Sequence, residues 1–219
     1  MKEKLYTIPL NDAMNAGDEC PMCYSEREIE QDLLDLVLGS GSSYMESDMR
    51  EITDKAGFCQ AHFKKMYDYG NTLGNAWILK THYRKMRAEL EKQINSYTPN
   101  KVKLSDKILK RSEGNQLSNW VKEKEKSCFI CKRNDEIFER YLDTFFILYN
   151  QDEEFRNKIK NGKGFCISHF GTIMEAADLK MNEKQRSDLY EVLFPLMIKN
   201  LERLQEDVDW LVEKFDYNK

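Results

Sequence analysis

Apolar residues recur at three- and four-residue steps along most of this 219-residue chain, the spacing that gathers them on one face of a helix. The first run follows a turn-rich stretch at 15–18 and consists of Ile29, Leu33, Leu36 and Val37. The pattern then predicts helices over 46–55, 59–69 and 73–95. Residues 1–19 are expected to form an arm that ends in a turn. Only four prolines and ten glycines interrupt the chain, which favours helices over strands.

The second half of the chain repeats this plan. A predicted helix that starts near Cys131 has an apolar face of Phe138, Leu142, Phe145, Phe146 and Tyr149. A further helix is predicted to run to about Ala177. Short identities recur at a fixed offset of 108 residues, for example Glu28-Ile29 with Glu136-Ile137 and Leu34-Asp35 with Leu142-Asp143. With a two-residue deletion, Met49-Arg50 matches Phe155-Arg156. We therefore interpret the chain as a tandem duplication.

A long amphipathic segment ends the chain. Its apolar stripe is nearly continuous and consists of Leu189, Leu193, Leu196, Met197, Leu201, Leu204, Val208, Leu211 and Phe215. Pro195 lies inside the segment and is predicted to kink or divide the helix, because proline removes a backbone hydrogen bond and clashes with the preceding turn. The stripe either packs over both repeats or pairs with another subunit, and the packed arrangement is the favoured prediction.

These patterns predict an all-α protein of two tandem helical repeats. The first repeat is expected over 1–98, a linker and a mildly basic helix over 99–126, and the second repeat with the C-terminal helix over 127–219. The whole is expected to form one compact unit.

Cysteine and histidine residues supply the candidate chemistry. All six cysteines and two of the three histidines fall into two matched sets, which are Cys20, Cys23, Cys59 and His62, and Cys128, Cys131, Cys166 and His169. Each set joins a Cys-x-x-Cys turn to a Gly-Phe-Cys-x-x-His stretch, in which Cys and His stand three apart at a helix start and share a face. Three thiolates and one imidazole are the ligands of structural zinc sites. The sequence therefore predicts two zinc ions per chain.

The grouping of these ligands has two solutions. The favoured prediction is that each repeat forms its own Cys3His site; the alternative is a crossed pairing, with Cys20 and Cys23 serving His169. An iron–sulfur cluster is the main alternative to zinc, since three cysteines and one histidine can hold one. Gly57 and Gly164, just before the ligands, are predicted to adopt a conformation closed to other residues, and the phenylalanines after them to anchor the turn.

Composition and charge limit the partners and the cellular location that the sequence predicts. A formal net charge of −4 and a pI near 5.6 make nucleic acid an unlikely partner, because phosphate recognition needs a basic face. Residues 101–126 are mildly basic, with eight lysines or arginines against four acidic residues, and are the candidate region for such a contact. No signal-peptide core follows the first charges, and the most apolar run, 145–149, is too short to span a membrane. A cytoplasmic location is predicted, where paired cysteines are more often ligands or redox groups than disulfides.

No catalytic set can be assembled from the residues that remain, so the prediction leans away from an enzyme. His82, the third histidine, is expected to be a partly exposed helix residue. The leading hypothesis is a zinc-stabilised helical scaffold, monomeric or homodimeric, that binds a protein or small-molecule partner. The alternatives are a thiol-based redox or metal sensor and an iron–sulfur redox protein.

Several stretches also resemble a known group of proteins. The start of the chain at 2–13, the Cys-Pro-Met-Cys turn at 20–23, the Ser-Tyr-Met-Glu stretch at 43–46 and the first Gly-Phe-Cys-x-x-His stretch are similar to a bacterial domain-of-unknown-function family, met often in anaerobic Firmicutes. The resemblance implies a bacterial cytoplasmic protein and no particular activity. The second Cys-x-x-Cys turn lacks the proline of the first, so its turn is expected to differ.

Overall fold

The fold is known from a computed structural model that describes residues 5–41, 43–99 and 114–215. These residues form ten α-helices, one short 3-10 helix and no strand, which confirms the predicted all-α class. The helices are α1 (Thr7–Asn15), α2 (Pro21–Leu38), α3 (Ser47–Ala56), α4 (Gln60–Asp68), α5 (Thr72–Asn95), α6 (Gln116–Lys126), α7 (Phe129–Gln151), α8 (Glu153–Asn161), α9 (Ile167–Lys180) and α10 (Glu183–Phe215), with the 3-10 helix at Ser43–Met45.

Two sequence predictions are modified by these elements, and a third falls largely outside the described residues. The expected N-terminal arm contains α1, which buries Leu10 and Ala13, so the prediction of a plain arm was wrong. The last helix is a single element through Pro195, so the predicted division does not occur there. Most of the linker, and with it half of the mildly basic region, lies outside the described residues; α6 holds the remainder.

The duplication extends from sequence to structure. Helices α2 to α5 recur in the same order as α7 to α10. In the first series, Arg50 of α3 donates hydrogen bonds to the backbone carbonyls of Tyr44 and Met45, at 3.1 and 2.6 Å. In the second, Arg156 of α8 donates to the carbonyls of Tyr149 and Asn150, at 2.9 and 3.2 Å. The two arginines aligned in the sequence therefore perform the same local task.

The chain divides into two compact units. The terminal unit comprises Met1–Ile29 and Glu136–Lys219, and the central unit comprises Glu30–Asp135. This division differs from the predicted ranges 1–98 and 127–219, because both unit boundaries fall inside helices, within α2 and within α7.

The terminal unit has an aromatic core. Phe145 of α7 is fully buried, and its ring makes edge contacts with Phe146, Phe155 and Phe165 at centroid distances of 5.3, 5.7 and 6.0 Å. Burying one such side chain stabilises the fold by roughly 1.5–3 kcal/mol. The contact with Phe165 fixes the position of the chain directly before Cys166, one of the predicted ligands.

The central unit builds a smaller core under its own Gly-Phe-Cys stretch. Phe58 is buried and contacts Phe63 and Phe129 edge-on, at 5.6 and 6.4 Å. Asn71 caps α5 by accepting from the Gly74 N–H and donates to the Leu38 carbonyl, which fixes α5 to the end of α2. Over the described parts of the chain, none of the helices has the length and apolar character needed to cross a membrane.

Candidate metal centres

The terminal unit brings four of the predicted ligands together. Cys20 and Cys23 lie at the start of α2, while Cys166 and His169 lie at the start of α9. The Nδ1 atom of His169 lies 3.5, 3.3 and 3.2 Å from the sulfurs of Cys20, Cys23 and Cys166, respectively. We call this group the terminal centre.

The central unit holds the other four. Cys59 and His62 lie at the start of α4, and Cys128 and Cys131 at the start of α7. The Nδ1 atom of His62 lies 3.1 Å from the Cys59 sulfur and 3.3 Å from each of the other two. In this central centre, as in the terminal one, all four donor atoms lie within 4.8 Å of one another.

Each centre combines ligands from both repeats, so the favoured prediction that each repeat forms its own site was wrong. The Cys-x-x-Cys turn of the first repeat meets the Cys-x-x-His stretch of the second, and the reverse holds in the central centre. Both solutions offer the same donor set at each site, so the local spacing could not distinguish them. The two halves exchange their Cys-x-x-Cys turns within one chain.

The spacing of the donors fits one tetrahedral ion. Zinc bonds of about 2.3 Å to sulfur and about 2.0–2.1 Å to nitrogen give a tetrahedron with S···N edges of about 3.6 Å and S···S edges of about 3.8 Å. The Cys23 and Cys166 sulfurs are 3.7 Å apart, and those of Cys59 and Cys131 are 3.9 Å apart. Since the S···N distances of 3.1–3.5 Å are only slightly shorter, each set of side chains fits a metal ion of this size.

Two glycines shape the turns that present the ligands. Gly57 and Gly164 have backbone φ angles of 71° and 77°, which residues that carry a side chain rarely adopt. A Cβ atom on Gly57 would lie 2.9 Å from the His82 ring, and one on Gly164 would lie 3.2 Å from the Met197 sulfur. The predicted conformational role of both glycines is confirmed, as is the burial of Phe58 and Phe165.

Cys59 and Cys166 are the residues directly before α4 and α9, with extended backbone. The Cys166 sulfur accepts a hydrogen bond from the His169 backbone N–H at 3.4 Å. Both cysteines therefore present their sulfurs at a helix N-terminus, where the donor atoms of each centre meet.

Hydrogen-bond donors favour a thiolate at Cys20 and Cys128, the first cysteine of each Cys-x-x-Cys turn. Burial alone would raise the pKa of Cys20, but hydrogen bonds from His169 and from the backbone N–H groups of Cys166 and Cys23 lower that pKa to about 6. In the same way the pKa of Cys128 falls to about 6, against burial, through His62 and nearby backbone donors. One backbone donor to each sulfur, from Cys166 to Cys20 and from Cys59 to Cys128, thus comes from a different chain segment.

The second cysteine of each turn has the opposite tendency. Burial, then the charge of Cys20, raises the pKa of Cys23 to about 12. Burial, then the hydrogen bond and charge of Cys128, raises the pKa of Cys131 to about 12. Crowded thiolates repel one another, and a divalent cation bound among them would offset that repulsion.

A carboxylate lies behind each histidine, on the side away from the sulfurs. His62 Nε2 is 2.7 Å from Glu30, whose other carboxylate oxygen pairs with Lys65. His169 Nε2 is 3.1 Å from Glu26. The thiolate hydrogen bond, and after it the facing glutamate, raises the pKa of each imidazole to about 9. Such a carboxylate fixes the tautomer that offers Nδ1 to a metal.

Sequence reasoning missed both glutamates. Glu26 and Glu30 lie three and seven residues after Cys23, so all three share one face of α2. That spacing was the available signal. It could not be used without knowing that α2 faces a histidine.

The two Cys-x-x-Cys turns differ at the first residue of their helices. Phe129 donates its backbone N–H to the Gly57 carbonyl at 2.9 Å, which ties the two ligand-bearing segments of the central centre together. The matching position in the first repeat is Pro21, which has no N–H to donate. The second turn was expected to differ because it lacks the proline, and the difference is this additional hydrogen bond from Phe129.

His82 lies outside both centres. It is buried with 5% of its surface exposed, so the expectation of a partly exposed residue was wrong. Its Nδ1 lies 3.3 Å from the Asp54 carbonyl, and its ring packs under Gly57. The residue therefore supports the turn that carries Cys59.

Comparison with known proteins gives one positive result. The chain has no significant match among curated proteins or among solved structures. It does match a family described as "Family of unknown function (DUF6062)" along residues 1–219. Because this match covers the whole chain, with both ligand sets, the chain belongs to that family.

Proposed function

We propose that this protein is a helical scaffold in which two zinc ions are structural elements. The observation that carries the proposal is the convergence of three sulfurs and one imidazole Nδ1 in each unit, with a carboxylate behind each imidazole. Zinc would be held by Cys20, Cys23, Cys166 and His169 in one centre and by Cys59, His62, Cys128 and Cys131 in the other. A bacterial, cytoplasmic setting belongs to the same proposal.

Bound zinc would hold together the separate chain segments that form each site. Four protein ligands fill a tetrahedral shell and leave no position for a reacting water, so the sites favour structure over hydrolysis. Each ion would join chain segments more than 60 residues apart, since Cys59 and Cys128 are 69 residues apart and Cys20 and Cys166 are 146 apart. Closing such long loops opposes unfolding strongly, because metal binding free energy becomes folding free energy.

A single ion fits the donors better than an iron–sulfur cluster. A cluster of several irons spreads its ligands over a wider volume than one tetrahedral ion does. Here neighbouring donor atoms are 3.1–3.9 Å apart. The close spacing therefore supports zinc over the iron–sulfur alternative.

The decisive experiment is metal analysis of protein purified without oxygen, with a visible spectrum of the same sample. We expect two zinc ions per chain and a colourless solution. A brown solution with iron and sulfide in place of zinc would contradict the proposal.

A second candidate function is a thiol-based redox sensor. Cys23 and Cys166 are both only half-buried and 3.7 Å apart, and the same is true of Cys59 and Cys131 at 3.9 Å. Hydrogen peroxide would take two electrons from such a pair of thiolates, forming one S–S bond and two hydroxide ions, and the metal would lose two ligands.

This candidate is tested with a zinc-sensitive dye during titration with peroxide. A sensor should release zinc at low peroxide and bind it again after addition of a thiol reductant. Release only at peroxide levels that also oxidise methionine would favour the structural function alone.

A further inference from the structure

The second half of α10 exposes an apolar face. Its first half is buried in the terminal unit through Leu189, Leu193, Leu196 and Met197. From residue 201 onward the stripe consists of Leu201, Leu204, Val208, Leu211 and Phe215, which are 41–67% exposed. The favoured prediction that the whole stripe packs within the chain was therefore wrong for this half. Single exposed apolar residues are common on protein surfaces, but five large ones in a continuous row indicate an interaction surface.

The row has the spacing of a coiled-coil seam. Its members follow one another at alternating steps of three and four residues from Leu201 to Phe215. Such an average step of 3.5 residues keeps a seam facing one partner helix along its length. The face therefore suits another helix with the same repeat.

Charge argues against a lipid surface as the partner. Residues 201–215 contain five acidic side chains, Glu202, Glu206, Asp207, Asp209 and Glu213, against two basic ones, Arg203 and Lys214. Helices that lie on membranes carry lysine and arginine on their polar face, since most bilayer surfaces are anionic. An acidic helix is repelled from them.

We propose that this face pairs with the same face of a second copy of the chain, in an antiparallel coiled coil. In that register Val208 packs on Leu211 of the second copy, and Leu204 packs on Phe215 of the second copy. The pairing is symmetric, so each contact occurs twice. This inference goes beyond the proposed scaffold function and does not depend on the metal.

The charges beside the seam are self-complementary in this register. Asp207 and Lys214 are seven residues apart and flank the seam on the same side. In the antiparallel pair, each Asp207 faces Lys214 of the second copy. A parallel pair would instead place Asp207 against Val212 of the second copy, which desolvates a carboxylate without a cation. The flanking charges thus select the antiparallel arrangement.

Both charged groups are available for these contacts. The Asp207 side chain is 70% exposed and, among the described residues, pairs with Arg203 of its own helix at 3.4 Å. The Lys214 ammonium group lies 3.6 Å from the centre of the Trp210 ring, on the same helix. A carboxylate can accept from two cations and an ammonium group has three donors, so neither local contact blocks the pairing.

The first test is the mass of the full chain in solution, by light scattering at increasing concentration. We expect the mass to rise from 26.0 kDa toward twice that value. Val208→Asp should weaken association at least about thirtyfold, as loss of a central interface side chain does. Because Val208 is 58% exposed, this variant should keep its helix content and its metal.

The second test uses charge. Asp207→Lys places lysine opposite lysine and should weaken self-association about tenfold or more, and Lys214→Asp should do the same with two carboxylates. An equal mixture of the two variants should associate again, because each lysine then faces an aspartate. The matched control is Glu206→Lys, which makes the same charge change away from the seam and should leave association unchanged.

A wild-type chain that stays at 26.0 kDa at the highest attainable concentration would overturn the proposal. So would a dimer that survives Val208→Asp, since it would use another surface. A dimer lost in Val208→Asp but without recovery in the mixture would overturn the antiparallel register.

Discussion

At the scale of single residues, the two centres have the same types of ligand, but the carboxylates behind their histidines differ in exposure and distance. The Glu30 side chain is 19% exposed and lies 2.7 Å from its histidine, while that of Glu26 is 44% exposed and lies 3.1 Å away. A shielded charge interacts more strongly than one in water. The central centre should therefore hold its metal more firmly.

We predict that Glu30→Gln weakens metal binding at the central centre by about 10- to 100-fold, the usual cost of losing a carboxylate behind a ligand histidine. Glu26→Gln should cost less at the terminal centre. Competition with a coloured chelator measures both effects. Glu28→Gln, an exposed change on the same helix, is the control and should leave both affinities as they are.

Glycine substitutions test the backbone of the turns. Gly57 has φ 71° and ψ −165°, a region open almost only to glycine, so Gly57→Ala should destabilise the fold by about 1–3 kcal/mol even before its contact with His82 is counted. Gly171 lies within α9 with open space around it, and Gly171→Ala should stabilise by about 0.5–1 kcal/mol. Chemical denaturation measures the two effects. Equal effects of the same sign would contradict the assigned backbone roles.

At the scale of helices, the sequence predicted what depends on local spacing. The helix predicted over 73–95 is found at Thr72–Asn95, because its apolar period and its flanking Gly-Asn turn are both local signals. The exposure of the second half of α10 was not predictable, since an apolar stripe does not specify what covers it. The aligned arginines were visible in the sequence, but their carbonyl partners were not.

Arg156 provides a test at this scale. Its guanidinium donates to two carbonyls at the end of α7, groups that a helix terminus leaves without intrahelical partners. Hydrogen bonds from a charged group contribute roughly 1.5–3 kcal/mol, so Arg156→Ala should lower the free energy of unfolding by about that amount. Lys184→Ala, an exposed change in α10, should have almost no effect. Thermal unfolding of the metal-loaded chain compares them.

At the scale of the whole molecule, the crossed centres decide how the duplication folds. The eight candidate ligands were all identifiable from spacing, since no cysteine is left over. Their grouping was not, because it depends on which helix starts meet in three dimensions. The exchange means that neither half of the sequence contains a complete centre.

Paired substitutions distinguish the two groupings in solution. Cys20→Ala with Cys166→Ala removes two ligands from one crossed centre, so the variant should keep one zinc ion per chain. Cys20→Ala with Cys59→Ala removes one ligand from each crossed centre and should lower both affinities by the loss of a thiolate. Under grouping within repeats the outcomes would be reversed, because Cys20 and Cys59 would share a site. Zinc stoichiometry during chelator titration therefore decides between them: one tightly held ion in the first variant and none in the second is the expected result, and the reverse would contradict the exchanged fold.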